Sequence, residues 1–162
     1  MSSPDLSDYL IDHSDFDWNS LLAGWAWLLP PTFTVWLMNR FGDLFVITPD
    51  GMVHMLDIGA GVFVKLADSR DELSKTIDEE DNANNWLMIP LVDSARAAGM
   101  TLAPGECYSF KLPPVLGGQY ALENVFVLEL SKHFGAYASI HNQLRNVPDG
   151  TQVQVNVRPP VG

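Results

Sequence analysis

No lysine or arginine occurs in this 162-residue chain before Arg40, although Asp5, Asp8, Asp12, Asp15 and Asp17 have already passed. Residues 1–81 carry 15 acidic and 4 basic side chains and the remainder carries 5 of each, so the formal net charge of −11 lies entirely in the first half. Such a field repels nucleic acid and anionic membrane and speeds encounter with a basic partner. Cysteine is almost as scarce. The single Cys107 excludes an internal disulfide framework. Long hydrophobic runs are missing too: the most apolar stretch, LLAGWAWLLPPTF at 21–33, is too short for a bilayer and is broken by Pro30 and Pro31. The opening MSSPDLSDYLIDHSD lacks the basic and apolar regions of a secretion signal. Together these absences predict a cytoplasmic protein with neither nucleic acid nor membrane as partner.

The signatures of common chemistry are also lacking. There is no G-x-S-x-G, no P-loop and no G-x-G-x-x-G. The run Asp78-Glu79-Glu80-Asp81 has no glycine at the sixth position and no closing glutamate, so it does not read as a calcium loop. His133 and His141 are eight residues apart, about 12 Å of helical rise, too far to share one metal ion. His13 and His54 read as surface or satisfied histidines. Cys107 sits inside a strand-like segment rather than at a helix N-terminus that would activate it, so it reads as a small buried apolar residue. The chain is expected to be no enzyme and to need neither cofactor nor metal.

What the chain does have is the material of a core. With 47% hydrophobic residues and five tryptophans, it is long enough to fold as one domain over 1–162, beginning with an acidic arm at 1–16. Asp17 is a candidate cap for a helix running to about Leu29. DLFVIT, a turn at Pro49-Asp50-Gly51, MVHMLD and then VFVKLA at 62–67 read as successive strands of a meander. Ser69-x-x-Glu72 is a capping box opening a helix toward the acidic run. The asparagines 82, 84 and 85 look like an interruption before a helix WLMIPLVDSARAAG, adjusted at Pro90 and stopped at Gly99. A strand around 107–111, a Pro/Gly loop, a strand at 123–130, a helix capped by Ser131 and a final strand at TQVQVNV complete the pattern. The expected fold is α+β, a mostly antiparallel sheet with a meander and helices packed on one side.

Two segments carry a family likeness: FGDLFVITPDGMVHMLDIGAG at 41–61 and LAPGECYSFKLPPVLGGQYALENVFVLELSKHFGAYASIHNQL at 102–144. A Gly-Asp before a strand, D-G-x-V-H-x-L-D, G-E-C-Y-x-F-x-x-P, L-G-G, E-N and a late histidine helix resemble the C-terminal domain of the type VI secretion DNase-immunity family, which often follows a GAD-like domain in bacterial proteins. The likeness spans roughly 20–145, and makes 17–158 an immunity-type α+β domain. It implies a cytoplasmic antidote that binds a toxic effector and blocks it. The motif glycines Gly42, Gly51, Gly117 and Gly118 would serve turns.

The reading that follows is a bacterial immunity protein that neutralises a cognate secreted toxin, a nuclease effector, by stoichiometric occlusion. Acidic side chains would occupy a basic cleft built for phosphate. The candidates are Asp71, Glu72, Asp78, Glu79, Glu80 and Asp81, with Asp12, Asp15 and Asp17 as a second cluster. Two alternatives stand beside it: a small-molecule-binding protein or enzyme with a pocket near Cys107, Tyr108 and His133, and a general interaction module.

Overall fold

The computed structural model describes residues 6–145; the turn and strand expected at 148–157 lie outside them. Strands β1 (Thr34–Met38), β2 (Leu44–Ile47), β3 (Val53–Asp57) and β4 (Val62–Ala67) form a four-stranded antiparallel sheet in sequential order. This is the expected meander, with β1 added from the segment whose pattern fits helix and strand equally well. A second, two-stranded antiparallel sheet pairs β5 (Glu106–Phe110) with β6 (Val125–Glu129). Five helices complete an α+β fold: α1 (Trp18–Leu21), α2 (Arg70–Thr76), α3 (Asn82–Leu87), α4 (Ile89–Ala97) and α5 (Leu130–Leu144).

The β2–β3 turn closes because Gly51 adopts φ +85° and the Asp50 carboxylate accepts the Thr48 hydroxyl and the Met52 N–H, an Asx-type turn. Alternation along the strands then decides what is buried. Leu44, Val46, Leu56 and Ile58 join Trp25, Phe134, Tyr137 and Ala138 in one cluster. Phe45 and Met55 point the other way, into a cluster with Leu87, Val92, Ala95, Tyr108 and Phe110. Both faces of the central strands are therefore covered, α5 and the N-terminal turns lying on one and α3 and α4 on the other.

Local structure departs from the sequence pattern in three places, each for a packing reason. Asp17 does cap α1, accepting the Ser20 N–H, but the helix stops at Leu21 and tightens into a 3₁₀ turn over Ala23–Trp25. The tightening carries Trp25 fully out of solvent, with its indole N–H on the Phe134 carbonyl at 3.1 Å. It also seats Gly24 so close to α5 that a Cβ there would lie 2.7 Å from that of Ala138. The asparagines at 82, 84 and 85 do not interrupt a helix; they form α3, and the break comes at Met88, in the left-handed region at φ 52°. Pro90 falls in the first turn of α4, where its missing N–H costs nothing. Finally, Glu129 rather than Ser131 is the N-cap residue of α5, without a side-chain cap, because β6 runs directly into the helix. Ser69 caps α2 as expected, accepting the Glu72 N–H at 3.1 Å.

The arm is docked from Leu6 onward. Tyr9 is buried and donates to Asp93 on α4 at 2.8 Å, Leu10 bridges Asn39, and the Ile11 N–H donates to the Met38 carbonyl.

Candidate functional site

Two neighbouring features stand out, an exposed acidic turn and a polar cavity, and α3 joins them. Helix α2 ends at Thr76, so the acids 78–81 do not extend it. They occupy a tight connection to α3 held by Glu79 N–H to the Thr76 carbonyl, Asn82 N–H to the Glu79 carbonyl, and the Asn82 amide donating to the Thr76 carbonyl at 2.8 Å. Glu80 sits at φ 49°, a conformation that an L-residue holds only where its surroundings impose it. Asp78, Glu79, Glu80 and Asp81 are all exposed, as is Asp71 on the first turn of α2; Glu72 is half-buried there. The acids 78–81 therefore form an exposed surface turn, with Asp71 and Glu72 at the start of the preceding helix α2.

The second cluster is put to local use. Asp12 accepts the Ser14 N–H and Asp17 caps α1. The fold adds what spacing hides: Asp15 and Asp17 border one surface groove with Glu106 and Glu129, two acids directly opposite each other across β5 and β6.

Beyond the acidic turn, Asn84 and Asn85 form part of the rim of a cavity of about 530 Å³. Its floor is Asp43, buried to 4% exposure. Asp43 Oδ1 accepts the Ile58 N–H at 2.8 Å and Oδ2 the Asn39 amide at 2.9 Å. Burial, with the neighbouring Asp57 charge adding to it, drives the Asp43 carboxyl well above the usual carboxylate range. Asp57, Tyr120 and His133 face the same space, and Phe41, Phe110 and Met55 supply an apolar wall. The Phe41 and Phe110 rings stack at 5.1 Å, and Tyr120 meets Phe110 edge-on at 5.4 Å.

His133 comes from the first turns of α5. Its Nδ1 is 2.9 Å from Ser109 Oγ, while Nε2 has no hydrogen-bond partner although the residue is only 1% exposed. Burial pushes its pKa down to about 4, the nearby Phe41 main chain offsetting part of that. His141, two turns on, packs its ring against Trp25 and places Nε2 2.8 Å from the Ile58 carbonyl. The two histidines thus serve different partners. Among the described residues no group of three or more His, Cys, Asp or Glu converges to hold a metal ion.

An acid limb in stability follows from His133. The folded protein keeps the ring neutral down to about 4, whereas the unfolded chain takes up its proton near the ordinary 6.5. Unfolding therefore binds a proton between those values. The stability tied to the neutral ring is complete above pH 6.5 and drains as pH falls toward 4, by about 3 kcal/mol in all. Asp43, with its raised pKa, works in the opposite sense, since its protonated form suits the fold and its ionisation on raising the pH is what costs stability. Urea titrations of the parent and His133→Gln at pH 7 and pH 4.5 should show the smaller acid loss in the variant. Equal losses would remove His133 from the account.

The pocket expected near Cys107, Tyr108 and His133 is corrected in its membership. Only His133 lines the cavity. Cys107 is fully buried, and its thiol pKa is pushed up by that burial and by the Asp43 and Glu106 charges, the reverse of nucleophile activation. Tyr108 turns its hydroxyl to the Met100 carbonyl at 2.5 Å. Asp43, Asp57 and Tyr120 were the residues to find, and the first two stand in the motifs themselves, in Gly42-Asp43 and at the end of D-G-x-V-H-x-L-D. The motif Asn124 is structural: its side chain accepts the Leu112 N–H and donates to the Leu112 and Gln119 carbonyls, pinning the loop between β5 and β6.

The fold is a two-sheet α+β unit presenting an acidic loop beside a walled cavity. Residues 67–141 match the family described as T6SS immunity protein Tdi1, C-terminal, and over that stretch the expected type VI secretion immunity resemblance is borne out. The match supports an immunity role and, with it, binding of a cognate toxin. It takes in Asp71, Glu72, the acidic turn, α3, α4 and nearly all of the second motif segment, and leaves out the first motif segment at 41–61. No curated protein matches the chain. Among the described residues no helix is long and apolar enough to cross a membrane.

Proposed function

We propose that this chain is a cytoplasmic, non-catalytic antidote that neutralises a basic nuclease effector by one-to-one occlusion, with Asp71, Glu72, Asp78, Glu79, Glu80 and Asp81 facing the toxin. The observation that carries the reading is the placement of the acidic loop inside the matched immunity region, exposed and held on a defined backbone. A nuclease cleft is shaped to attract phosphate, and a row of carboxylates competes for the same field. Such charges set association rate and partner choice, and apolar contacts supply more of the affinity.

Changing Asp78, Glu79, Glu80 and Asp81 together to Asn or Gln should slow association with the toxin roughly tenfold or more at low salt, and should flatten its salt dependence. The urea midpoint should stay close to that of the parent, because none of the four side chains caps a helix or makes a buried contact. The same treatment of Asp12, Asp15 and Asp17 should slow association less. Stopped-flow mixing at several ionic strengths decides. Parental association rates and full protection of toxin-expressing cells by the quadruple variant would overturn the assignment. Cys107→Ala, if folded, should still protect, since occlusion needs no thiol; loss of protection at unchanged toxin affinity would reopen the enzymatic reading.

A further inference from the structure

The cavity is more elaborate than an occluding surface requires. Its inner end holds a buried carboxylate, Asp43, and a second carboxylate, Asp57, stands beside it; no lysine or arginine is among the lining residues. A pair of acids alone would say little. The independent observation is His133, a residue lining the same space at 1% exposure whose buried Nε2 has no hydrogen-bond partner. A buried polar atom left unpaired costs about 1–3 kcal/mol, and a bound ligand would remove that cost. Gly42, at φ +80°, lies against this ring edge, where a Cβ would stand 3.1 Å from Cδ2 and 3.3 Å from Nε2.

The wall chemistry gives the ligand its class. Stacked Phe41 and Phe110 and the edge-on Tyr120 present π-faces, which attract cations as well as apolar bodies. The volume, about 530 Å³, lies in the range of small-molecule sites and far exceeds what a single inserted side chain would fill. We propose that the cavity between the β1–β2 turn, β3, α4 and α5 binds a small organic amine, its ammonium group set against Asp43 and Asp57 and its apolar body against Phe41, Phe110 and Tyr120. In the tautomer whose Nδ1 donates to Ser109, His133 Nε2 can accept one ammonium N–H. The remaining lone pairs of Asp43, beyond those used by Ile58 and Asn39, accept another. The amine would also supply the counter-charge that Asp43 lacks.

Calorimetric titration of the purified chain, without toxin, tests this with tryptamine, phenethylamine and butylamine, each against its alcohol counterpart. At least one amine should bind at millimolar concentration or below, and its alcohol should bind roughly tenfold more weakly. Asp57→Asn should lose the preference for amine over alcohol while Asn Oδ1 keeps the Ala60 N–H bond that Asp57 makes. Tyr120→Ala, at a residue 57% exposed and so safe for folding, should weaken tryptamine more than butylamine. No binding by any amine, equal binding by the alcohols, or an unaltered preference in Asp57→Asn would overturn the proposal. Should Asp57→Asn not fold, the alcohol series and Tyr120→Ala decide it. Toxin neutralisation is read in a separate assay, so neither result depends on the other.

Discussion

Asn39→Ala should destabilise the protein by about 3–5 kcal/mol, a large share of the total stability of a domain this size. Asn39 is fully buried at the end of β1, and its side chain makes four hydrogen bonds. Oδ1 accepts the Phe41 N–H at 2.9 Å and the Asp43 N–H at 3.0 Å. Nδ2 donates to Asp43 Oδ2 and to the Trp86 carbonyl, both at 2.9 Å. One amide thus closes the β1–β2 turn, holds the Asp43 carboxylate and ties the sheet to α3, which carries the acidic loop. Alanine leaves two N–H groups and two acceptors without these partners in a largely buried site. Asn39→Asp should fall between parent and alanine variant or below both, because it keeps the two acceptor contacts but sets a carboxylate against Asp43. Urea denaturation with unchanged slope measures the effect. A loss under 1 kcal/mol for Asn39→Ala would show that the turn is held by other means. In cells the variant should protect poorly because it unfolds, although it leaves every acidic surface residue in place.

The second large effect belongs to the L-G-G motif, whose two glycines have different duties. Gly117 lies at φ +99° with nothing near its absent side chain. Alanine there should cost only the strain of a left-handed L-residue, about 1–2 kcal/mol. Gly118 is in an unstrained conformation but lies against the other side of its loop. A Cβ would fall 1.8 Å from the Leu112 carbonyl oxygen and 2.9 Å from Asn124 Nδ2. Gly118→Ala must therefore push the loop open and break the Asn124 contacts that hold it, at about 3 kcal/mol or more. Because Tyr120 lies two residues on, near-ultraviolet circular dichroism should change as well. The order matters more than the sizes. If Gly117→Ala proves the costlier substitution, the close approach at Gly118 does not constrain the loop.

The outcome at each element follows the kind of signal it gave. The Pro49-Asp50-Gly51 turn, the strand at 62–67 and the Ser69 cap were legible because their causes are local: a left-handed glycine, a short run rich in valine and phenylalanine, and a hydroxyl three residues before an acceptor-seeking N–H. The helix expected from Asp17 to Leu29 began where its cap lies and then broke, since burial of Trp25 beneath α5 outweighed local helical spacing. The acidic loop was legible as charge. Its exposure was decided by Thr76 ending α2 early and by the Asn82 side chain holding the connection.

By itself, then, the sequence determined an acidic α+β chain with a β-meander, its likeness to immunity proteins, and where its acids cluster, because composition, alternation and turn chemistry act within a few residues. Only the tertiary structure decided that Asp43, Asp57, Tyr120 and His133 surround one cavity and that Cys107 stays out of it. These residues are brought together from both sheets' neighbourhoods and from α5, and the shifts of Asp43, Tyr120 and His133 arise from burial, which depends on which distant segments pack over them.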